Sequence, residues 1–237
     1  MPDDHAILRV TSMVRIVGLI GVVLSLVTVG GAALLYGLQH EFSFVSTYLS
    51  DMGNTPVWPQ AVFNAGMLIG IPVRYLFLVL LVTLLARAGA SPRSAIAILV
   101  LAGVMAIAST GMYAVPFSVN RAIHLNSALV YFFGVVALQA LIAIQEWRYL
   151  TSRVLPASTV LVLVLSLIFV ILLASVGRIE GVTRDTPVIW EWLVYFAWLS
   201  WLVIHTIVLG RNPAHRTPDA VRPDGRMQAT ARGARRI

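Results

Sequence analysis

Six long apolar stretches constrain the fold of this chain more than any other feature. They cover about residues 14–38, 61–86, 94–115, 122–146, 154–176 and 188–209. A helix needs roughly 20 mainly apolar residues to cross a bilayer, and every stretch meets that length. Hydrophobic residues make up 59% of the chain and charged residues only 11%, which is not the composition of a water-soluble globule. The sequence therefore predicts an integral membrane protein.

The character of the stretches also predicts the fold class. In hydrocarbon, only helices and closed barrels satisfy all backbone hydrogen bonds, and these continuous apolar runs lack the alternation of a barrel strand. We therefore predict an all-α fold, a polytopic bundle of six transmembrane helices in residues 14–210. Residues 1–13 form a short N-terminal segment. The Arg-, Pro- and Gly-rich residues 211–237 are predicted to be disordered, because they contain few large apolar side chains.

The positions of the arginines predict the orientation in the membrane. The chain contains no lysine, and arginines concentrate near the N-terminus, in the second and fourth loops and in the tail, which holds seven of them from Arg211 to Arg236. By the positive-inside rule, both termini are cytoplasmic and the protein lies in the cell membrane. The net charge of +7 is then mainly a topological signal. The tail could also contact anionic lipid, and no nucleic-acid partner is predicted.

Polar residues gather at the predicted outer ends of the spans. Three helices begin at that face, and helix N-termini favour acidic or anionic partners. We predict an outer-leaflet polar pocket there, with Asp51, His124 and Glu191 as candidate catalytic residues. The predicted ligand-binding set comprises Ser50, Asp51, Asn54, Asn64, Arg121, His124, Asn126 and Glu191.

The first outer loop also has purely structural interpretations. Asp51 and Asn54 are common turn formers, and Thr55 before Pro56 suits a helix N-cap followed by proline in the first turn. Glu191 is favourable near a helix N-terminus without any ligand. In the preceding segment, apolar residues recur at near-helical spacing between serines and threonines. This pattern predicts a short amphipathic segment that covers the pocket, carried by Phe42, Val45 and Leu49.

The second span departs most from a plain lipid-facing helix. Its Gly66-x-x-x-Gly70 spacing predicts close packing against another helix, and Pro72 predicts a kink. Arg74 is an intramembrane charge, which is costly without a partner. Two interpretations stay open for its side chain. It either meets a polar partner on another span, for which the candidates are Gln139, Ser25 and His205, or it extends toward the cytoplasmic headgroups.

Several motifs resemble a known family. Leu49-Ser50-Asp51-Met52-Gly53-Asn54, followed by Phe63-Asn64-Ala65-Gly66, resembles the hallmark of the domain of unknown function 998 family. Gly111 to Pro116, His124 and Glu191-Trp192 are similar to further elements of that family, so the resemblance covers about residues 15–210. More distantly, the chain resembles the FRAG, DRAM and Sfk-type six-span proteins, some of which act in remodelling of GPI-anchor lipids. The resemblance implies a six-span fold and, as site residues, Ser50, Asp51, Gly53, Asn54, Asn64, His124 and Glu191.

Three functional classes follow from these observations. We favour recognition or remodelling of a lipid headgroup, held by Asn64, Asn126 and Arg121, with the three candidate catalytic residues as acceptors or acid and base groups. The second class is a small-molecule or proton-coupled transporter, with Arg74, His124, Glu191 and His205 marking an ion path through the bundle. The third is a non-catalytic assembly or scaffold protein whose polar cluster is structural. The sequence leaves open whether the protein is an enzyme.

Metal and cofactor chemistry is weakly supported by the sequence. Absence of cysteine excludes a thiolate metal site or a cysteine nucleophile. Asp51, His124 and Glu191 could in principle hold zinc, but catalytic zinc sites more often contain at least two histidines. We therefore predict no metal and no cofactor.

Overall fold

In a computed structural model that describes residues 4–211, this part of the chain is all helical. The helices are α1 (Asp4–Gly37), α2 (Leu49–Asn54), α3 (Trp58–Arg87), α4 (Pro92–Ala114), α5 (Arg121–Tyr149), α6 (Val154–Ser175) and α7 (Val188–Arg211). All except the short α2 are long and apolar enough to cross a membrane. The predicted all-α bundle of six spans is confirmed, and the chain is a multi-pass integral membrane protein.

The ends of the spans differ little from the prediction, apart from the first. Helix α1 begins at Asp4, well before the predicted start at residue 14, because a helix continues through polar residues once they leave the hydrocarbon. The other five spans begin and end within one helical turn of the predicted positions. The tail predicted to be disordered and to contact anionic lipid, residues 211–237, lies outside the described residues except for Arg211.

The six long helices form a closed ring. Each packs against two neighbours, in the order α1, α3, α4, α5, α6 and α7, with α7 returning to α1. We call one end of the ring the α2 face; it holds α2 and the first residues of α3, α5 and α7. The opposite end, where α1 begins and α7 ends, is the terminal face. A ring of six helices leaves space along its axis, and the candidate site lies in this space.

Small residues allow the ring to close tightly between α1 and its neighbours. A Cβ atom placed on Gly66 of α3 would lie 2.1 Å from Thr28 Oγ1 of α1, and one on Gly18 of α1 would lie 1.9 Å from Thr206 Oγ1 of α7. Neither distance is possible for real atoms, so both contacts require glycine. The close packing predicted from the Gly66-x-x-x-Gly70 spacing is therefore confirmed at Gly66.

The loop before α3 differs from the local prediction. Thr55 does not cap α3; it follows the last residue of α2, and its hydroxyl donates to the Asp51 carbonyl at 2.8 Å. Helix α3 begins at Trp58, with Pro59 in its first turn and Val57 at the N-cap position. A proline does lie in the first turn of α3, as predicted, but it is Pro59 and not Pro56. Val57 has a φ of 71°, which is strained for a β-branched residue.

The predicted amphipathic segment is helical only at its end, from Leu49 onward. Helix α2 begins at Leu49, whose side chain is buried, whereas residues 41–48 form an irregular turn in which Val45 is exposed. A hydrogen bond from the Trp192 indole N–H to the Thr47 carbonyl, at 2.8 Å, holds the end of this turn against α7. Residues 41–48 therefore form a turn that contacts α7, where the spacing of apolar residues predicted a helix.

Candidate functional site

A cavity of about 800 Å³ lies inside the helix ring. It reaches from the α2 face to the indole of Trp201, which forms part of its inner end. Its polar lining is concentrated at the α2 face and includes Ser50, Asp51, Asn54, Asn64, Ser118, Arg121, His124, Arg184 and Glu191. Its deeper wall is mainly apolar and includes Phe77, Leu78, Met105, Leu138 and Phe169. The cavity is therefore amphipathic along its length.

The structure brings most of the predicted ligand-binding residues to this one cavity. Asn126 differs from the rest of the set, because it is exposed on α5 and does not belong to the cavity lining. Arg121 lines the cavity but is also exposed, with its guanidinium carbon 5.3 Å from the centre of the Phe117 ring. The placement brings the predicted residues together and leaves their function to be tested.

Asp51 holds the loop between α6 and α7 against α2. One of its carboxylate oxygens lies 2.8 Å from Arg184 Nη2, and the other accepts the backbone N–H of Tyr48 at 3.0 Å. The Tyr48 hydroxyl donates to the Arg184 carbonyl. Burial, and then the nearby Glu191 carboxylate, raise the pKa of Tyr48 to about 12, so this hydroxyl stays a donor at neutral pH.

Sequence reasoning missed Arg184 and Tyr48 as parts of the site. The signal for Arg184 was present, because an acidic residue in one loop and a basic residue in another loop at the same face could pair. Tyr48 carried no such signal, since a single tyrosine near a membrane interface is expected in any polytopic protein.

Glu191 fastens α2 from the other side. Its Oε2 atom accepts the backbone N–H of Leu49, the first residue of α2, at 2.7 Å. The unpaired N–H groups at the start of a helix make this a favourable place for a carboxylate. Glu191 on α7 and Asp51 on α2 therefore hold α2 in place beside the cavity through backbone and loop contacts.

Two asparagines connect α2 to α3 and to the loop before α5. Asn64 Nδ2 donates to the Gly53 carbonyl at 3.0 Å. Asn54 Nδ2 donates to the Ser50 carbonyl at 2.8 Å, and its Oδ1 accepts the N–H of Ser118 at 3.2 Å. A Cβ atom on Gly53 would lie 2.8 Å from Asn64 Oδ1, so only glycine allows this approach.

His124 is a buried residue with one ring nitrogen engaged. Nδ1 lies 3.0 Å from the Met112 carbonyl and 3.2 Å from the Val115 carbonyl, both at the end of α4. Carbonyl oxygens only accept, so Nδ1 must carry a proton. In the neutral imidazole this leaves Nε2 as an acceptor. His124 therefore ties α5 to α4 and can also present an acceptor to the cavity it lines.

Arg74 lies about halfway along α3 and lines the cavity between Asn64 at its polar end and Phe77 in its apolar wall. Its Nη2 donates to the Met67 carbonyl at 3.0 Å, so the side chain points back toward the α2 face. The Arg74 side chain therefore does not extend toward the predicted cytoplasmic headgroups, which was one of its two interpretations. Ser25 lines the same cavity, but no hydrogen bond joins it, Gln139 or His205 to Arg74 among the described residues.

A second polar group lies near the terminal face, and the sequence singled out only His205 among its members, as a candidate partner of Arg74. Glu146 Oε1 is 2.6 Å from His205 Nε2, and Glu146 Oε2 accepts the Thr159 hydroxyl at 2.6 Å. The Trp201 indole N–H donates to Thr159 Oγ1 at 2.8 Å. We call these four residues the Glu146 network. It joins α5, α6 and α7, and Glu146, Thr159 and His205 are fully buried.

Donor and acceptor rules restrict the protons in the Glu146 network. His205 Nδ1 lies 2.8 Å from the Trp201 carbonyl, so Nδ1 carries a proton. The short contact between His205 Nε2 and Glu146 Oε1 needs one more proton, held by either the imidazole or the carboxyl group. The pair is then neutral overall, which avoids the cost of an uncompensated charge in the interior.

Two more buried polar groups lie next along the same helices. The amide of Gln139 on α5 and the hydroxyl of Ser166 on α6 are buried and have no hydrogen-bond partner within residues 4–211. Gln139 precedes Glu146 by two helical turns, and Ser166 follows Thr159 by the same interval, so each lies on the same side of its helix as the network residue. A polar strip thus follows the α5–α6 contact.

The zinc hypothesis receives no geometric support. In the part of the chain that the structure describes, no group of three His, Asp or Glu side chains is placed to hold a metal ion. Asp51, Glu191 and His124 line one cavity but have separate partners in Arg184, the Leu49 N–H and the end of α4.

Comparison with known proteins gives no relative. No family model matches the chain, and neither a curated protein nor a solved structure matches it significantly. The site must therefore be interpreted from its own geometry.

Proposed function

We propose that this membrane protein binds a single lipid-like amphiphile in the cavity, with the polar headgroup near the α2 face. The observation that carries the proposal is the amphipathic lining, which is polar at the α2 face and mainly apolar further in. Ligand pockets of about 300–1,000 Å³ are typical for small molecules, and the cavity of about 800 Å³ is of that size.

The headgroup would meet residues that the helices already hold in place. Asn64 and Glu191 each make one fixed contact to a backbone group and Asn54 makes two, so they can meet a ligand without a large ordering cost. The arginine distribution predicts that the α2 face is the outer face. On that basis, the headgroup would come from the outer leaflet.

Remodelling of the lipid would extend this function to catalysis. The Nε2 atom of His124 is the general-base candidate, because Nδ1 is fixed by two carbonyls and leaves Nε2 to accept a proton. Membership of the domain of unknown function 998 family would agree with this proposal, and its support is the motif resemblance alone.

Native mass spectrometry of the full-length protein tests the proposal. Ala128 on α5 lines the cavity, whereas Ala137 on the same helix is exposed and does not. We expect wild type and Ala137→Trp to retain one lipid of defined mass, and Ala128→Trp to lose most of it because the indole fills the cavity. Equal retention by both variants, or no defined lipid in wild type, would contradict the proposal.

A carrier is the second candidate function, and one observation favours it. Trp201 lines the inner end of the cavity and bonds to Thr159 of the Glu146 network, so a buried acid and imidazole adjoin the ligand space. Intramembrane ionisable groups often mark proton paths. Proteoliposomes loaded with a fluorescent lipid test this: wild type would move the lipid between leaflets and Glu146→Gln would not, and no movement by wild type would exclude the carrier.

A further inference from the structure

Arg74 is a charged residue of the cavity lining whose described hydrogen bond, to a backbone carbonyl, does not balance its charge. It is placed well inside the bundle, and its guanidinium lies beside Gly70, where a Cβ atom would be 3.4 Å from Cζ. Pro72 lacks the N–H that would bond the Leu68 carbonyl, and the guanidinium bonds the neighbouring carbonyl of Met67. The contact with Met67 thus fixes the charge at the cavity wall.

The charges that line the cavity do not balance at Arg74. The lining contains the acids Asp51 and Glu191 and the arginines Arg74, Arg121 and Arg184. Asp51 pairs with Arg184, and Glu191 accepts the N–H of Leu49 at the α2 face. Arg121 is exposed, so water or headgroups can solvate it.

Among the side chains that the structure describes, Arg74 therefore lacks an acidic partner. Within residues 9–210, whose side chains are described, the ion pairs are Asp51 with Arg184 and Glu146 with His205. A guanidinium has five N–H donors, and the structure gives this one a single acceptor, the Met67 carbonyl. A cation in a low-dielectric interior is costly without a counter-ion, and the open space beside it is the ligand cavity.

We infer that the bound amphiphile is acidic and that its carboxylate or phosphate group pairs with Arg74. This inference rests on the proposed function, since it names the chemical class of the ligand. A guanidinium binds either group through two parallel hydrogen bonds, so fatty acids and lysophospholipids with a terminal phosphate share the required chemistry. The apolar wall formed by Phe77, Leu78 and Leu138 then surrounds the acyl chain.

Binding to three single-chain probes tests the inference. Oleate carries a carboxylate, lysophosphatidic acid carries a terminal phosphate, and lysophosphatidylcholine carries the same chain with no net charge. We expect full-length wild type in uncharged detergent to bind at least one acidic probe roughly tenfold or more tightly than lysophosphatidylcholine. The acidic probe that binds identifies the source of the anion.

Two variants of Arg74 and one control locate the effect. Arg74→Gln should weaken binding of the acidic probe about tenfold or more and leave lysophosphatidylcholine unchanged. Arg74→Lys should keep most of the preference, which also shows that a folded cavity survives substitution at this position. Arg87 is exposed at the end of the same helix and outside the cavity lining, so Arg87→Gln should bind all probes like wild type.

The possible failures are distinguishable. Equal binding of all three probes by wild type, or an acidic preference that Arg74→Gln retains, would overturn the inference but leave amphiphile binding in place. If wild type binds none of the probes and retains no lipid in the mass spectrum, the proposed function itself fails.

Discussion

The two polar regions of the bundle satisfy their hydrogen bonds in different ways. At the α2 face, side chains such as Glu191, Asn64 and Trp192 bond mainly to backbone groups of the first loop and α2. In the Glu146 network, four side chains bond to one another across three helices. The first arrangement holds α2 beside the cavity, and the second fastens α5, α6 and α7 to one another.

Because of this difference, the α2 face has polar groups free to contact a ligand, whereas the Glu146 network stabilises the helix bundle. Polar groups at the α2 face reach the cavity and stay partly accessible, so a ligand can use their remaining donors and acceptors. In the Glu146 network only Trp201 lines the cavity, and Glu146, Thr159 and His205 are 0% exposed and have no accessible surface to offer. Burial of that kind makes each partner costly to remove.

The largest effect is expected from removing the acid of the Glu146 network. Glu146→Ala leaves His205 and Thr159 buried without their partner, and loss of one member of a buried pair costs roughly 3–5 kcal/mol. The free energy of unfolding in micelles measures this loss. Glu41, which is exposed, provides the matched control, and Glu41→Ala should change the stability by less than about 0.5 kcal/mol. Equal stability of the two variants would show that the network does not fasten the helices.

An intermediate effect is expected at the α2 face. Trp192→Phe removes the indole N–H that bonds the Thr47 carbonyl and leaves that buried acceptor unpaired, at a cost of about 1–3 kcal/mol. Trp58 is exposed, and Trp58→Phe should be nearly neutral. Hydrogen exchange of residues 43–54 would report the change, since the segment should open more often. Unchanged exchange in this segment would contradict the proposed anchoring role.

The smallest effect is expected for the ion pair at the mouth of the cavity. The Arg184 side chain is 67% exposed and that of Asp51 is 26% exposed, so the pair should contribute only about 0.2–1 kcal/mol. Arg184→Gln should lower the melting temperature slightly at low salt and have no effect at high salt, because salt screens exposed charges. A loss comparable to that of Glu146→Ala would remove the distinction between the two regions.

The sequence predicted the fold well because the bilayer restricts it strongly. Length and hydropathy alone located six spans, and the helix ends that differ, such as Asp4, extend into polar sequence where no apolar signal exists. The ring order of the helices was not predictable, because each long apolar helix offers similar faces. Gly66 was an exception, since its spacing to Gly70 predicted a close contact that Thr28 provides.

The sequence predicted at which end of the spans the site residues lie, but it did not predict their hydrogen-bond partners. Residues such as Asp51, His124 and Glu191 come to one cavity because their span positions place them at one face. Glu146 was missed because it lies at the end of a predicted span, where an acid suggests a headgroup contact. His205, at a similar depth on the last span, was the available signal for that pair. The pair forms because α5 and α7 both pack against α6, and this order of the helices could not be predicted from the sequence.

Photolabelling with a diazirine-bearing fatty acid tests the central claim most directly, because it asks where an acidic amphiphile resides. Met105 and Ile107 both belong to α4, but Met105 lines the cavity and Ile107 is 77% exposed on the outside of the ring. We predict labelling at Met105 that excess oleate removes and that Arg74→Gln weakens. Labelling confined to outward-facing residues such as Ile107, unaffected by oleate, would contradict a ligand-binding cavity.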